Sequence, residues 1–167
     1  MKTNLLRAIL PFVLVLTLVS CSSDSTEDLT IPTEVALSAK YEYSADELAL
    51  LDAVNEYRVS IGLNSLQPVE YVSMKSEEHN EYMISKNEIN HDFFHERAEN
   101  IMAVLGASKV NENVAYNYST ANSVLHAWLE SPGHKANIEG NFTHFGASIR
   151  VNPETGKKYY TNIFLKK

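Results

Sequence analysis

Glu112 stands between two amides, in Asn111-Glu112-Asn113, directly ahead of the apolar run Val114-Ala115-Tyr116. An amide beside a carboxylate can donate hydrogen bonds that orient it, a supporting task in a binding or catalytic site. A second polar segment, Trp128-Leu129-Glu130-Ser131-Pro132-Gly133-His134-Lys135-Ala136-Asn137-Ile138, supplies an imidazole and further amide and hydroxyl groups. A third, His91-Asp92-Phe93-Phe94-His95, places two histidines four apart. That spacing is like the zinc helix of metalloproteases, with Asp where the Glu base would be. The shorter acid moves the base, and no third ligand is evident downstream. His95 therefore reads as a solvated helix residue. His79 and His126 fall near apolar stripes and read as satisfied core histidines, and His144 precedes a strand, with a place at the border of the site as its lesser alternative.

The remaining reactive group is Cys21, the sole cysteine, so no internal disulfide can form. It follows Lys2 and Arg7 and the almost wholly apolar stretch 8–19, the order of charges and apolar residues in a secretory leader. That stretch falls short of the roughly 20 apolar residues that span a bilayer. Leu18-Val19-Ser20-Cys21 resembles the lipobox of bacterial lipoproteins, which implies cleavage before Cys21 and diacylglycerol on its thiol. The expectation is a leader over 1–20 and an acylated Cys21 that partners the membrane. A single acyl chain holds only marginally, whereas the several chains of a bacterial lipoprotein anchor stably.

Losing Lys2 and Arg7 with the leader takes the net charge from −7 to −9. So acidic a chain is unsuited to nucleic acid, and to anionic lipid by surface charge alone. Residues 21–43 form the acylated end and a tether rich in Ser, Thr, Asp and Glu. Its composition cannot bury enough apolar surface to fold. The early acids Asp24, Glu27 and Asp28 look like a signal that sends some lipoproteins to the outer face, which points to the outer membrane and the cell surface. Residues 44–167 are the size of one domain.

The elements that must position the polar segments are mostly helices. Ser44 and Glu47 form a capping box, Leu50, Val54, Tyr57 and Ile61 share a face, and Gly62 can end the helix. Pro68 suits the first turn of a second helix, whose stripe is Val69, Val72, Ser76, His79 and Met83. A third runs from about residue 92 to 105 and stops at Gly106. A fourth follows a cap at Ser119 or Thr120 and carries Ala121, Val124, Leu125 and Trp128. Phe145, Ala147, Ile149 and Val151 then alternate with polar or small residues, Asn152-Pro153-Glu154-Thr155-Gly156 turns, and 159–165 alternates again: a hairpin. Helices first and a hairpin last predict an α+β domain.

The order His91, Glu112-Asn113, Trp128, Ser131-Pro132-Gly133-His134, Asn137-Ile138 resembles the bacterial branch of the CAP superfamily. These are the SCP-like extracellular proteins, related to cysteine-rich secretory proteins, antigen 5 and pathogenesis-related 1 proteins. Leu51, Asn55 and Arg58 match the start of the family's pattern, and Gly146 with the hairpin matches its end. The resemblance spans about residues 47–164. It implies an α–β–α sandwich, helices on a small antiparallel sheet, with a cleft holding two histidines and two acids. His91, Glu112 and His134 carry over. Glu130 lies near the second acid's place, which animal members put one residue further on, at Ser131 here. The cysteines of animal members are absent.

The resemblance leaves three classes of function open. One is a binding module for a lipid, peptide or envelope component in the His/Glu cleft. Another is a divalent-metal-dependent hydrolase, in which two neutral imidazoles and a carboxylate would hold Zn²⁺ with a position open. The third is an envelope protein whose polar network fixes loop geometry.

Overall fold

The first helix starts where its capping box predicts. The structure, a computed structural model, describes Ser38 and residues 40–167, so the leader, Cys21 and most of the tether lie outside the described residues. In helix α1 (Ala45–Ser60) the Ser44 hydroxyl accepts from the Glu47 N–H at 3.3 Å, and Glu47 Oε2 accepts from the Ser44 N–H at 2.8 Å. The other Glu47 oxygen accepts from Ile149 N, the Tyr41 hydroxyl and Arg150 Nη1. Tyr41 is thereby buried, its ring edge-on to Tyr43. The Tyr43 hydroxyl lies 2.9 Å from Ser73 Oγ, so both tyrosines pack against the helices that follow.

Four strands form one mixed sheet in the order β1-β3-β4-β2. They are β1 (Gln67–Pro68), β2 (Lys109–Tyr116), β3 (His144–Val151) and β4 (Lys158–Lys166). β1 runs parallel to β3, and the other two pairings are antiparallel. The expected hairpin is present, but two expectations need correction. The sheet is not purely antiparallel, and Pro68 lies in β1, with the second helix starting later. Proline has no N–H to give, and a short sheet-edge position tolerates that.

Helices α2 (Glu70–Lys86) and α3 (Phe94–Leu105) cover one face of the sheet, and α1, α4 (Ala121–Glu130) and α5 (Pro132–Ile138) cover the other. This is the α–β–α sandwich of the sequence reading. Tyr71, Val72, Ala98, Ile101, Val110, Ile163 and Leu165 fill the first layer. Leu50, Val54, Val124, Trp128, Phe145, Tyr160 and Phe164 are part of the second. Alternation along β4 sends Ile163 and Leu165 to one side and Phe164 to the other. α2 presses close to β3 at Gly146, where an added Cβ would lie 2.5 Å from Ser73 N and 2.7 Å from the Val72 carbonyl carbon. No helix among the described residues is long and apolar enough to cross a membrane.

Candidate functional site

β2 is an edge strand of the sheet, opposite β1, and the candidate site is built around it. Side chains alternate, so Val110, Glu112 and Val114 face α2 and α3, while Asn111, Asn113 and Ala115 face α4 and α5. The outward carbonyls of such an edge need partners. Trp128 Nε1 donates to Val114 O at 2.9 Å, and Asn137 Nδ2 donates to Glu112 O at 3.2 Å. Asn137 also joins the amides of the strand, donating to Asn113 Oδ1 at 2.8 Å and accepting from Asn111 Nδ2 at 2.6 Å. Asn113 Nδ2 in turn donates to the His134 carbonyl at 3.1 Å. The motif residues Trp128, His134 and Asn137 therefore fasten α4 and α5 along the edge of β2.

On the other face, the Glu112 side chain is 1% exposed and gathers three donors. His91 Nδ1–H donates to Oε1 at 2.9 Å. The Arg97 guanidinium spans both oxygens, with Nε 2.8 Å from Oε2 and Nη2 3.0 Å from Oε1. Arg97 Nη1 donates to the Asp92 carbonyl at 3.2 Å, so the same side chain grips the turn that carries His91. His79 Nε2 lies 3.7 Å from Glu112 Oε1 and donates to the Asn90 carbonyl at 3.0 Å. Burial holds the His79 imidazole below the usual histidine range, partly offset by the charge of Glu112. His91 is 48% exposed, its Nδ1 committed inward and its outer edge open to solvent.

Phe93 explains why the two histidines four apart do not act together. Its backbone is left-handed at φ 57°, rare for a bulky side chain, and α3 begins only after it. His91 thus lies on a turn before the helix. His95 lies on the helix, exposed and paired with Glu99 at 3.1 Å. The Tyr82 ring, 5.3 Å away and edge-on, supports Phe93.

His134 sits in the first turn of α5 and lines a recess of about 360 Å³, with Ile89, Val114, Tyr116, Tyr118, Trp128 and Ser131 among its walls. Burial lowers the His134 pKa, and the charge of His91 pushes the same way. The structure pairs His91 directly with Glu112, and it ties the backbone of His134 to Asn113, the next residue along β2. Glu130 joins neither contact, its side chain 70% exposed at the end of α4, 3.6 Å from His126. Ser131 lines the recess instead. His126 is exposed rather than in the core, and His144 opens β3, separated from β2 by β4.

Sequence reasoning missed Arg97 and the contact of His79 with the site. A signal for Arg97 was available, because a cation close to a helix N-terminus opposes the helix dipole and calls for a compensating partner. Arg97 also bears on the expected metal, because it occupies the acid. Both Glu112 oxygens are engaged by a guanidinium, and among the described residues no group of three or more His, Cys, Asp or Glu is arranged to hold a metal ion. The residues present do not fit the divalent metal that the resemblance implies.

The model of the CAP family, the cysteine-rich secretory protein family, matches residues 51–164. The chain belongs to this family. Two curated relatives come from Bacillus subtilis (strain 168). The uncharacterized protein YkwD is 32% identical over 118 residues, covering 68% of this chain and 46% of the relative. The uncharacterized membrane protein YlbC is 29% identical over 130 residues, covering 74% and 35%. The chain therefore spans about a third to a half of the length of these relatives. Among solved structures, an outer surface protein from Borrelia burgdorferi superposes with a TM-score of 0.65 at 19% identity, covering 77% of this chain and 98% of that one. At that identity the likeness speaks for the CAP fold alone.

Proposed function

We propose that this CAP domain is an extracytoplasmic binding module, held on the bacterial envelope through lipid on Cys21. Its cleft takes a small ligand that has an apolar body and a hydrogen-bonding group. The observation that carries this reading is the composition of the recess beside His134. Its walls are mostly apolar and aromatic, with one imidazole biased toward the neutral form and the hydroxyl-bearing side chains of Ser131, Tyr116 and Tyr118. Mostly apolar pockets with a few placed polar groups are the usual form of small-molecule sites. An envelope lipid, or a peptide with an apolar side chain, has that chemistry. The acidic chain suits neither nucleic acid nor charge-driven adhesion to anionic lipid. The geometry favours binding over metal-dependent hydrolysis, because the acid such a hydrolase would use for metal is engaged by Arg97.

Trp128 is the sole tryptophan and lines the recess, so its fluorescence reports occupancy. Titration with a panel of fatty acids, lysophospholipids and hydrophobic peptides is expected to give a saturable change with one class. His134→Ala should abolish that change and His95→Ala should leave it intact. Absence of any saturable response, together with no molecule extractable from the purified protein, would turn the reading to a structural envelope protein.

A further inference from the structure

The geometry points to Arg97 as a built-in replacement for a divalent cation: it holds Glu112, and through Glu112 it positions His91, so the cleft is assembled without metal. This deepens the binding reading by naming what organises the polar side of the cleft. It is tested by metal uptake and imidazole state, so its failure is distinct from failure of ligand binding.

Three observations support it. The planar fork of Arg97 engages both Glu112 oxygens, at 2.8 Å to Oε2 and 3.0 Å to Oε1. A guanidinium suits such two-point engagement of a carboxylate far better than an ammonium does. Its side chain is 9% exposed against 1% for Glu112, so water competes little for either partner. A metal ligated by Glu112 would need an oxygen at about 2.0–2.2 Å and would have to displace the guanidinium or share the carboxylate with it. Sharing would set a dication beside a cation that is poorly screened. Finally, Arg97 Nη1 donates to the Asp92 carbonyl, so one side chain fixes both the acid and the turn that bears His91. With Nδ1–H given to Glu112, the neutral His91 ring presents an unprotonated Nε2. Arg97 is thus a positioning residue, and the acceptor offered to a ligand is the far nitrogen of His91.

The test has two arms on the purified chain. In calorimetric titration with Zn²⁺, Mg²⁺ and Ca²⁺, the unmodified protein is expected to bind no stoichiometric metal beyond the weak background of a variant lacking the exposed His95 and His126. One equivalent of metal that is lost on Glu112→Gln would overturn the proposal. In nitrogen-15 histidine spectra, His91 is expected almost wholly as the Nδ1–H tautomer. Arg97→Met, close in length and uncharged, should shift it to the mostly Nε2–H mixture of a free imidazole. Should that variant not fold, Arg97→Lys keeps the charge and loses the fork, and is expected to shift the tautomer in the same direction. A folded variant of either kind with the His91 tautomer unchanged would overturn the positioning role.

Discussion

Glu112 and Asn113 are adjacent on β2 and point to opposite faces of the sheet, and each holds a segment that bears a histidine. This works because β2 is an edge strand: the turn bearing His91 closes on one face and α5 bearing His134 on the other. Glu112 orients a ring, and Asn113 holds the backbone of the residue that carries the second ring. The pair explains why a carboxylate followed by an amide appears at this point in the sequence.

The Glu112–Arg97 pair is buried, so breaking it leaves a desolvated guanidinium. Glu112→Gln is close in size and can still accept one hydrogen bond, but it removes the charge. Breaking such a pair by changing one partner typically costs about 3–5 kcal/mol. The expected outcome is a folded protein with a clearly lowered Tm, measured by thermal denaturation. A variant as stable as its parent would mean that the pair contributes nothing.

Acidification has a defined sign. His79, His134 and His144 are all held below the usual histidine range, burial being the first cause in each. The unfolded chain then takes up protons before the folded one does. Stability is therefore full above the ordinary histidine value of about 6.5 and falls as pH drops through it toward the folded values. Glu47 is different. Burial alone would raise its pKa, but hydrogen bonds from Ile149, Ser44 and Tyr41 bring the net shift downward. Its contribution is lost only below the ordinary carboxylate range of about 4.3. Tm measured against pH should show two separate declines, and His79→Gln should flatten the upper one.

Gly146→Ala should be among the most damaging single changes in the domain. The new Cβ would meet backbone atoms of Ser73 and Val72 at 2.5–2.7 Å, and backbone cannot swing aside as a flexible side chain does. Overpacking commonly costs about 1–3 kcal/mol, and the upper end or beyond is expected here. Urea denaturation measures it. A loss well below about 1 kcal/mol would show that α2 can retreat from β3.

Cys21→Ser addresses the proposed anchor. If the thiol carries lipid, the variant should leave the membrane fraction while its circular dichroism and Tm stay those of the parent. Retention on membranes after a salt wash would remove the lipoprotein reading.

How much of this was legible in the sequence differs by element. The capping box of α1, the cap of α4 and the closing hairpin follow local rules, and they were readable. β2 was not, since Lys109–Tyr116 carries Asn-Glu-Asn at its centre and lacks a period of two in its apolar residues. Those polar residues tie the strand to the turn of His91 on one face and to α5 on the other, and local patterning yields to such contacts. α5 was hidden by its shortness and by its opening Pro-Gly. His91, Glu112 and His134 came from ordered motifs; the structure pairs the first two and fastens the third to β2 through Asn113. Arg97 was passed over because a single arginine on a helix normally marks a solvated face. Between Glu130 and Ser131 the sequence left the choice open, and α4 ends with the Glu130 side chain turned to solvent.

The edge-capping network gives the sharpest test of how the site is held. Asn137 makes three hydrogen bonds to β2: to Glu112 O, to Asn113 Oδ1 and from Asn111 Nδ2. Asn137→Ala leaves those groups to find water along an edge that α5 largely covers. A buried group left unsatisfied costs about 1–3 kcal/mol, and a Tm loss of that order is expected. Asn113→Ala alone should cost a similar amount, because it also releases the His134 carbonyl. The two residues touch, so their effects should not add, and the double variant should be less damaging than the sum by about 0.5–3 kcal/mol. Amide exchange offers a second readout, with faster exchange confined to β2 and α5 while α1 and α2 stay protected. Strict additivity in the cycle, with unchanged exchange in α5, would show that the amides do not fasten α5 to the strand, and the placement of His134 would then need another cause.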